Sequence, residues 1–272
     1  MGIILGIDVG GSTTKIVGLR NRKQLGSLQV RAADQITSLY GAVGNFLSKH
    51  NLMLEDISAV ALTGVGASFI DGSIYNIKTV KINEFQAIGH GALRLTGLPE
   101  ALVVSMGTGT AFVRATKKEV SHIGGSGVGG GTIIGLASQM FGKSDIDAIL
   151  SLAEDGCLSN IDLSIRDILG SEITSLPSNL TAANFGKIKS TASESDLALG
   201  IINMVFETAG MLAVFALRNE TIRDVVMTGT LATFPQAETV FTAFRELTGF
   251  NFIIPHDAVF STALGAAELG AG

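Results

Sequence analysis

The sequence predicts an α/β protein built as two similar lobes, and three observations carry this. Three segments share one design, a run of apolar β-formers followed by a turn of glycine and hydroxyl residues: Ile3-Ile4-Leu5-Gly6-Ile7-Asp8-Val9-Gly10-Gly11-Ser12-Thr13, Ala101-Leu102-Val103-Val104-Ser105-Met106-Gly107-Thr108-Gly109-Thr110 and Val225-Val226-Met227-Thr228-Gly229-Thr230. The first two continue into short alternating stretches at 14–19 and 111–115, so each reads as a β-hairpin whose tip is rich in free backbone N–H groups. Between the glycine-punctuated strands lie seven stretches with a helical apolar period, at 34–49, 84–95, 131–141, 144–154, 194–218, 235–247 and 261–270.

In chain order, the first hairpin is followed by the helix at 34–49, which gathers Ile36, Leu39, Tyr40, Val43, Phe46 and Leu47 on one face. The apolar stretch 77–82 leads to Asn83, a good N-cap, and to the helix at 84–95. The turn Thr96-Gly97-Leu98-Pro99 is the expected lobe boundary, dividing the chain into 1–97 and 98–272. After the second hairpin, Gly129-Gly130-Gly131-Thr132 opens a helix. The longest helix begins at Ser193-Glu194-Ser195-Asp196, a capping pattern, and its apolar residues surround nearly the whole circumference. Such a helix must be buried between layers or in a partner chain.

Composition excludes several classes. The 272 residues are 46% hydrophobic and 16% charged with a mean hydropathy of +0.44, which excludes disorder. Nineteen Lys+Arg face 24 Asp+Glu, a net charge of -5, and Trp is absent, so no nucleic acid partner is expected. One cysteine, Cys157, cannot form an internal disulfide or a cysteine-rich metal site, and a reducing cytoplasm fits. The apolar start, Met1-Gly2-Ile3-Ile4-Leu5, lacks a basic region and is interrupted at Asp8, so no signal peptide is expected. No uninterrupted apolar run approaches the ~18 residues of a spanning helix, since 197–217 carries Asn203 and Glu207; no membrane partner is expected.

Two phosphate-loop patterns fail on inspection. Gly142-Lys143-Ser144 resembles the end of a Walker A loop, but Ala137 stands where that loop needs a glycine and the segment follows a helix. Gly125-Ser126-Gly127-Val128-Gly129-Gly130 satisfies the dinucleotide fingerprint, yet Asp145 and Asp147 fall in a helical segment and not at the end of a second strand. The four histidines, His50, His90, His122 and His256, show no metal-ligand spacing.

The hairpin tips suit a polyphosphate, because glycines and the hydroxyls of Ser12 and Thr13 present backbone donors with no bulky side chain in the way. Asp8 at the strand end is a candidate magnesium ligand, since magnesium takes one or two carboxylates plus phosphate oxygens. Lys15 adds a point charge. The second tip, Gly107-Thr108-Gly109-Thr110, would clamp the same nucleotide from the other lobe, and the glycine cluster at 129–132 lets a ligand approach a helix N-terminus. Glu84 begins a helix, where an acid is ordinarily favoured by the dipole. At an interlobe cleft it would also serve as a general base for an attacking hydroxyl.

Several motifs, in their order and spacing, resemble the type II pantothenate kinases. They are Asp8-Val9-Gly10-Gly11-Ser12-Thr13-Thr14-Lys15, Asn83-Glu84-Phe85-Gln86-Ala87, Met106-Gly107-Thr108-Gly109-Thr110, and Gly124-Gly125-Ser126-Gly127-Val128-Gly129-Gly130-Gly131-Thr132. Leu180-Thr181-Ala182-Ala183-Asn184-Phe185-Gly186-Lys187, Asn203-Met204-Val205-Phe206-Glu207-Thr208 and Ser261-Thr262-Ala263-Leu264-Gly265-Ala266 look like three further signatures. The first motif is shared across the acetate and sugar kinase and actin-like superfamily, whereas the Asn184-Phe185-Gly186-Lys187 segment and the triple-glycine helix start are far more specific.

The resemblance implies a two-lobed actin-like ATPase (ribonuclease H-like) fold, with mixed sheets flanked by helices and the nucleotide in the interlobe cleft. It also implies a homodimer built on the long helix, and transfer of phosphate from ATP with Mg2+ to the primary hydroxyl of pantothenate, the first step towards coenzyme A. Carried over, it makes Asp8, Val9, Gly10, Gly11, Ser12, Thr13, Thr14 and Lys15 the magnesium and phosphate site. Glu84 becomes the catalytic base, and Gly107, Thr108, Gly109 and Thr110 the second phosphate tip. Gly129, Gly130, Gly131, Thr132 and Ile133 flank the nucleotide, joined by Gly229 and Thr230 of the third segment. One departure stands out: where pantothenate-phosphorylating members carry arginine, this chain has His122, a candidate catalytic residue, and Arg114, Lys117 or Lys118 could supply the charge instead. Two alternatives follow: a kinase of another small hydroxyl substrate, or a nucleotide-binding homologue with little turnover. A dehydratase activator of the same superfamily is disfavoured, because such proteins hold an iron-sulfur cluster with cysteines and this chain has one.

Overall fold

The computed structural model describes residues 2–32, 34–169 and 180–271. The chain runs β1 (Ile3–Val9), β2 (Thr13–Arg20), β3 (Lys23–Arg31), α1 (Gln35–Lys49), β4 (Ile57–Thr63), β5 (Thr79–Lys81), α2 (Glu84–Thr96), β6 (Glu100–Met106), β7 (Thr110–Thr116), β8 (Val120–Ser126), α3 (Gly130–Phe141), α4 (Ile146–Glu154), β9 (Leu163–Ser164), α5 (Ile165–Leu169), β10 (Thr181–Ala183), α6 (Glu194–Leu217), β11 (Asp224–Thr228), α7 (Pro235–Thr248), β12 (Asn251–Ile253) and α8 (Ser261–Gly270).

Two five-stranded mixed sheets have the same plan, β3-β2-β1-β4-β5 and β8-β7-β6-β11-β12. In each, a hairpin and a third strand pair antiparallel, and two strands then add in parallel. The two lobes expected from the paired hairpins are therefore two copies of one topology. Both expected hairpins form, with Asp8 opposite Lys15 in the first and Met106 opposite Thr110 in the second.

Each copy ends in a helix, α2 after β5 and α8 after β12, and these two helices pack across to the opposite sheet. Ile88, Ala92 and Leu93 of α2 pack with Val103, Val113 and Val120 of the second sheet. Ala263, Leu264 and Ala267 of α8 pack with Val17 and Leu19 of the first. Close approach needs missing side chains: a Cβ on Gly91 would strike the Ser261 carbonyl, one on Gly265 the Ala87 carbonyl, and one on Gly6 the Ala263 carbonyl. The outer faces are covered by α1 over the first sheet and by α3, α4, α6 and α7 over the second.

The long helix α6 is capped as its sequence indicates, with the Ser193 hydroxyl accepting from the Asp196 N–H at 3.1 Å. By length and composition it could cross a membrane, but 56% of its most apolar window is buried inside the protein. Its burial is one-sided towards the end, where Met211, Leu212 and Phe215 are exposed.

Helix α6 also explains the residues 184–186. Asn184 Nδ2 donates to Glu207 Oε2 at 2.8 Å, and Thr181 Oγ1 donates to Glu207 Oε1 at 2.7 Å. Phe185 takes a left-handed φ of 58° and its N–H donates to Asp162 Oδ1 at 2.8 Å. Its ring meets Gly200, while Gly186 lies against Ala183 and Leu163. The segment is thus strapped to α6 directly by the Glu207 carboxylate and indirectly by that of Asp162, whose Oδ2 accepts from Asn203 Nδ2 of α6 at 3.1 Å.

Candidate functional site: a cleft between two hairpin tips

The two tips meet across one cavity of about 770 Å³ between the sheets. Ser12 Oγ of the first tip lies 3.5 Å from Thr108 Oγ1 of the second. Asp8, Gly10, Gly11, Ser12, Thr13, Lys15, Glu84, Gly107, Thr108, Gly109, Thr110, His122, Gly130, Gly131, Gly229 and Thr230 all line it. Val9, Thr14, Gly129, Thr132 and Ile133 stand just behind, with Val9, Thr14 and Ile133 in the core. Gly229, with a left-handed φ of 87°, turns the chain over the Met106 backbone, a path that a side chain would obstruct.

The acids of the cleft are electrostatically loaded. Asp8 and Lys15, adjacent on β1 and β2, are only 8% and 7% exposed and sit 3.6 Å apart. Burial raises the Asp8 carboxyl above its usual range, against the pull of Lys15. Glu84 is placed at the start of α2 because the Asn83 side chain accepts from the N–H groups of Phe85 and Gln86, at 3.0 and 3.2 Å. Burial, and then the negative charge of Asp8, raises the Glu84 carboxyl, with Lys15 opposing. A base poised closer to neutrality is suited to taking a proton from an alcohol.

The glycines at 129–131 have a structural duty that the sequence did not disclose. The N–H groups of Gly130 and Gly131 donate to the carbonyls of Gly107 and Thr108 at 2.8 and 2.9 Å. A Cβ on Gly129 would lie 2.7 Å from Gly109 Cα and from the Thr108 carbonyl oxygen. These glycines let α3 carry the second tip on its N-terminus, and two of its leading amides are occupied by that tip.

His122 lines the cleft from β8, beside a register shift in the β7–β8 pairing, and stacks on Phe85 with centroids 3.9 Å apart and planes at 14°. The substitutes considered for its charge do not reach the cleft. Arg114 pairs with Glu220 at 3.4 Å, and Lys117 and Lys118 lie in the β7–β8 turn, at the opposite end of that hairpin from Thr110 and Ser126.

Sequence reasoning missed the apolar lining, including Phe85, Ile134, Ile146, Leu231 and Phe234. Nothing in a sequence separates such residues from core. The rejected fingerprint at 125–130 does run from strand β8 into α3, but Asp145 is the N-cap of α4, accepting from the Asp147 and Ala148 amides, and not a ribose-binding acid at a strand end. Gly142 is the left-handed C-cap of α3, as befits a helix end and not a Walker loop.

Among the described residues no cluster of three His, Cys, Asp or Glu could hold a metal alone. Asp8 fits an ion that takes most of its ligands from phosphate and water: it is a buried carboxylate beside the first tip, with Lys15 as its ion-pair partner.

The model of the Fumble family matches residues 96–242, more than half of the chain. The chain belongs to the Fumble family. It is 25% identical over 272 residues to the type II pantothenate kinase of Bacillus cereus strain G9842, covering 96% of both chains. It is 28% identical over 275 residues to that of Staphylococcus haemolyticus, covering 97% of this chain and 99% of the relative. Among solved structures, it is similar to the activator of 2-hydroxyisocaproyl-CoA dehydratase from Clostridium difficile with bound ADPNP, with a TM-score of 0.66, 18% identity and coverage of 98% and 94%. A ROK family glucokinase from Streptomyces griseus in complex with glucose and AMPPNP gives a TM-score of 0.61 at 13% identity, covering 99% of each chain. These two likenesses establish the actin-like ATPase fold of this Fumble family chain.

Proposed function

We propose that this chain is a type II pantothenate kinase, transferring the γ-phosphoryl group of ATP to the primary hydroxyl of pantothenate at the entry to coenzyme A synthesis. The observation that carries the reading is the cleft in which both tips meet beside Asp8, Lys15 and Glu84. It is supported by membership of the Fumble family and by full-length relatives named for this activity.

In this reading the first tip and the base belong to 1–97, and the second tip, the glycine cluster and the dimer helix to 98–272. Lys15 and the backbone of 10–13 hold the phosphates from one side, Thr108 and Thr110 from the other, and Asp8 holds magnesium, which neutralises charge on the transferring group when bound. Glu84 takes the hydroxyl proton; the alcohol oxygen bonds to the γ-phosphorus as the bond to the β,γ-bridging oxygen breaks, and ADP leaves. His122, backed by Phe85, touches the acceptor. Thr132 and Ile133 support the nucleotide side from behind, with Gly229 and Thr230 beside it.

The test is a coupled ATPase assay with and without pantothenate. ADP release depends on pantothenate in the parent, is lost in Glu84→Ala, and is kept or raised in His122→Arg. Equal ADP release without acceptor overturns the reading. The proposed state is a homodimer, because Met211, Leu212 and Phe215 leave an apolar stripe exposed on α6, and the proposed compartment is the cytoplasm, which a single cysteine fits. Phe215→Glu is expected to give a monomer by light scattering, and a monomeric parent refutes the dimer.

A further inference from the structure

Outside the proposed catalytic groups, a set of exposed charges joins the strand behind the first tip to a helix over the second sheet, beside the cleft. Arg31 closes β3 directly opposite Thr13 of the first tip, and the next amide, that of Ala32, donates to the Ser12 carbonyl at 2.9 Å. Its guanidinium reaches across to the start of α4, where Nη1 donates to Asp145 Oδ2 at 3.1 Å and Nη2 to Asp147 Oδ2 at 2.6 Å. The two acids flank Ile146, which lines the cleft. The two acids lie 114 and 116 residues beyond Arg31 in sequence, so the fork joins the first sheet to a helix covering the second.

The geometry points to Arg31 as a positioning residue for phosphoryl transfer: by forking onto Asp145 and Asp147 it latches the first tip to α4 and holds Ile146 against the bound nucleotide. This rests on the kinase reading. An arginine suits the task, because its planar fork engages two carboxylates at once where an ammonium would serve as a point charge. The side chains are exposed, at 70% for Arg31 and 51% and 74% for the two acids, so water and ions compete for them. A pair of this kind holds strongly enough to delay release and weakly enough to open in each turnover. Asp145 has a second role as N-cap of α4, so the latch pulls on the end of a helix that is already fixed.

The experiment measures release of a fluorescent N-methylanthraniloyl ATP from the full chain by stopped flow, at low and high salt. It needs no acceptor and so does not depend on which alcohol is phosphorylated. Arg31→Ala is expected to release the nucleotide about 3- to 10-fold faster than the parent at low salt. The difference should vanish at high salt, where the parent's own latch is screened. Asp145→Asn/Asp147→Asn, which keeps an amide cap on α4, should match Arg31→Ala, and combining all three should add nothing further. Arg31→Lys should fall between parent and Arg31→Ala. The latch is overturned if Arg31→Ala releases nucleotide at the parental rate, if its effect survives high salt, or if the arginine and aspartate effects add. A parent that binds no nucleotide overturns the latch and the kinase reading together, whereas binding without a latch effect overturns the latch alone.

Discussion

The two hairpin tips are built on the same strand plan, yet they differ in where their polar groups go. The first is charged and held only by its own hairpin and the chain after β3: Asp8 and Lys15 are buried at its base, the Gly10 N–H donates to the Thr13 carbonyl at 3.0 Å, and the Ala32 N–H donates to the Ser12 carbonyl at 2.9 Å. The second carries no charge between Met106 and Thr110, and its carbonyls are taken by the amides of Gly130 and Gly131. One copy of the motif has kept costly buried ions, and the other has been fastened to a helix. Buried charge that burial itself disfavours is a signature of chemistry, whereas a satisfied backbone is a signature of scaffold.

This contrast can be broken most severely at the charged side. Glu84→Gln is expected to lower turnover by ~10²–10⁴-fold while leaving nucleotide affinity in place. Because burial and Asp8 raise the Glu84 carboxyl, the ionised form that the proposed base role needs appears only at higher pH than in an ordinary glutamate. Activity of the parent should therefore fall as pH drops through that raised value, and the acidic limb of whatever activity Glu84→Gln retains should be changed to that of Asp8, whose own carboxyl burial also raises. A parental limb no higher than that of a free glutamate would remove the base assignment.

The scaffold side is sharpened by a pair of glycines. Gly129→Ala drives a methyl into the Thr108–Gly109 backbone and should cost about 1–3 kcal/mol, read as a drop in the thermal midpoint. Gly11→Ala places its methyl 3.6 Å from Thr108 Oγ1, an ordinary contact, and should leave the midpoint unchanged while weakening nucleotide binding. The reverse pattern would mean that the tips have exchanged roles. The smallest effect is at the stacked pair: His122→Ala should raise the acceptor KM with a loss of about 0.5–1.5 kcal/mol, the worth of an aromatic stack. An unchanged KM would place His122 outside the acceptor subsite.

The seven expected helices all form, most with boundaries within a residue or two, because each carries its own periodic face and often its own cap. The strands were less legible. β3 was missed because it is an edge strand of mixed, half-exposed residues with no clean alternation. β4 was missed although it ends in Thr63-Gly64, the same close as Thr228-Gly229 on its counterpart β11. The charged and glycine residues of the cleft could be read from the sequence; its apolar lining could not, since an isoleucine facing a ligand and one facing a core look alike.

The amino-acid sequence by itself determined the tips, the helices and the candidate acids, because glycine sterics, apolar period and capping act between residues a few positions apart. Only the tertiary structure decided that α2 and α8 exchange sheets, that Ser12 meets Thr108, and that Arg31 grips Asp145 and Asp147. Apart from those of α2 with the hairpin that follows it, those contacts join residues roughly a hundred or more positions apart. Their partners are chosen by the shape and charge of surfaces that exist only once both sheets have formed, and no local pattern records that choice.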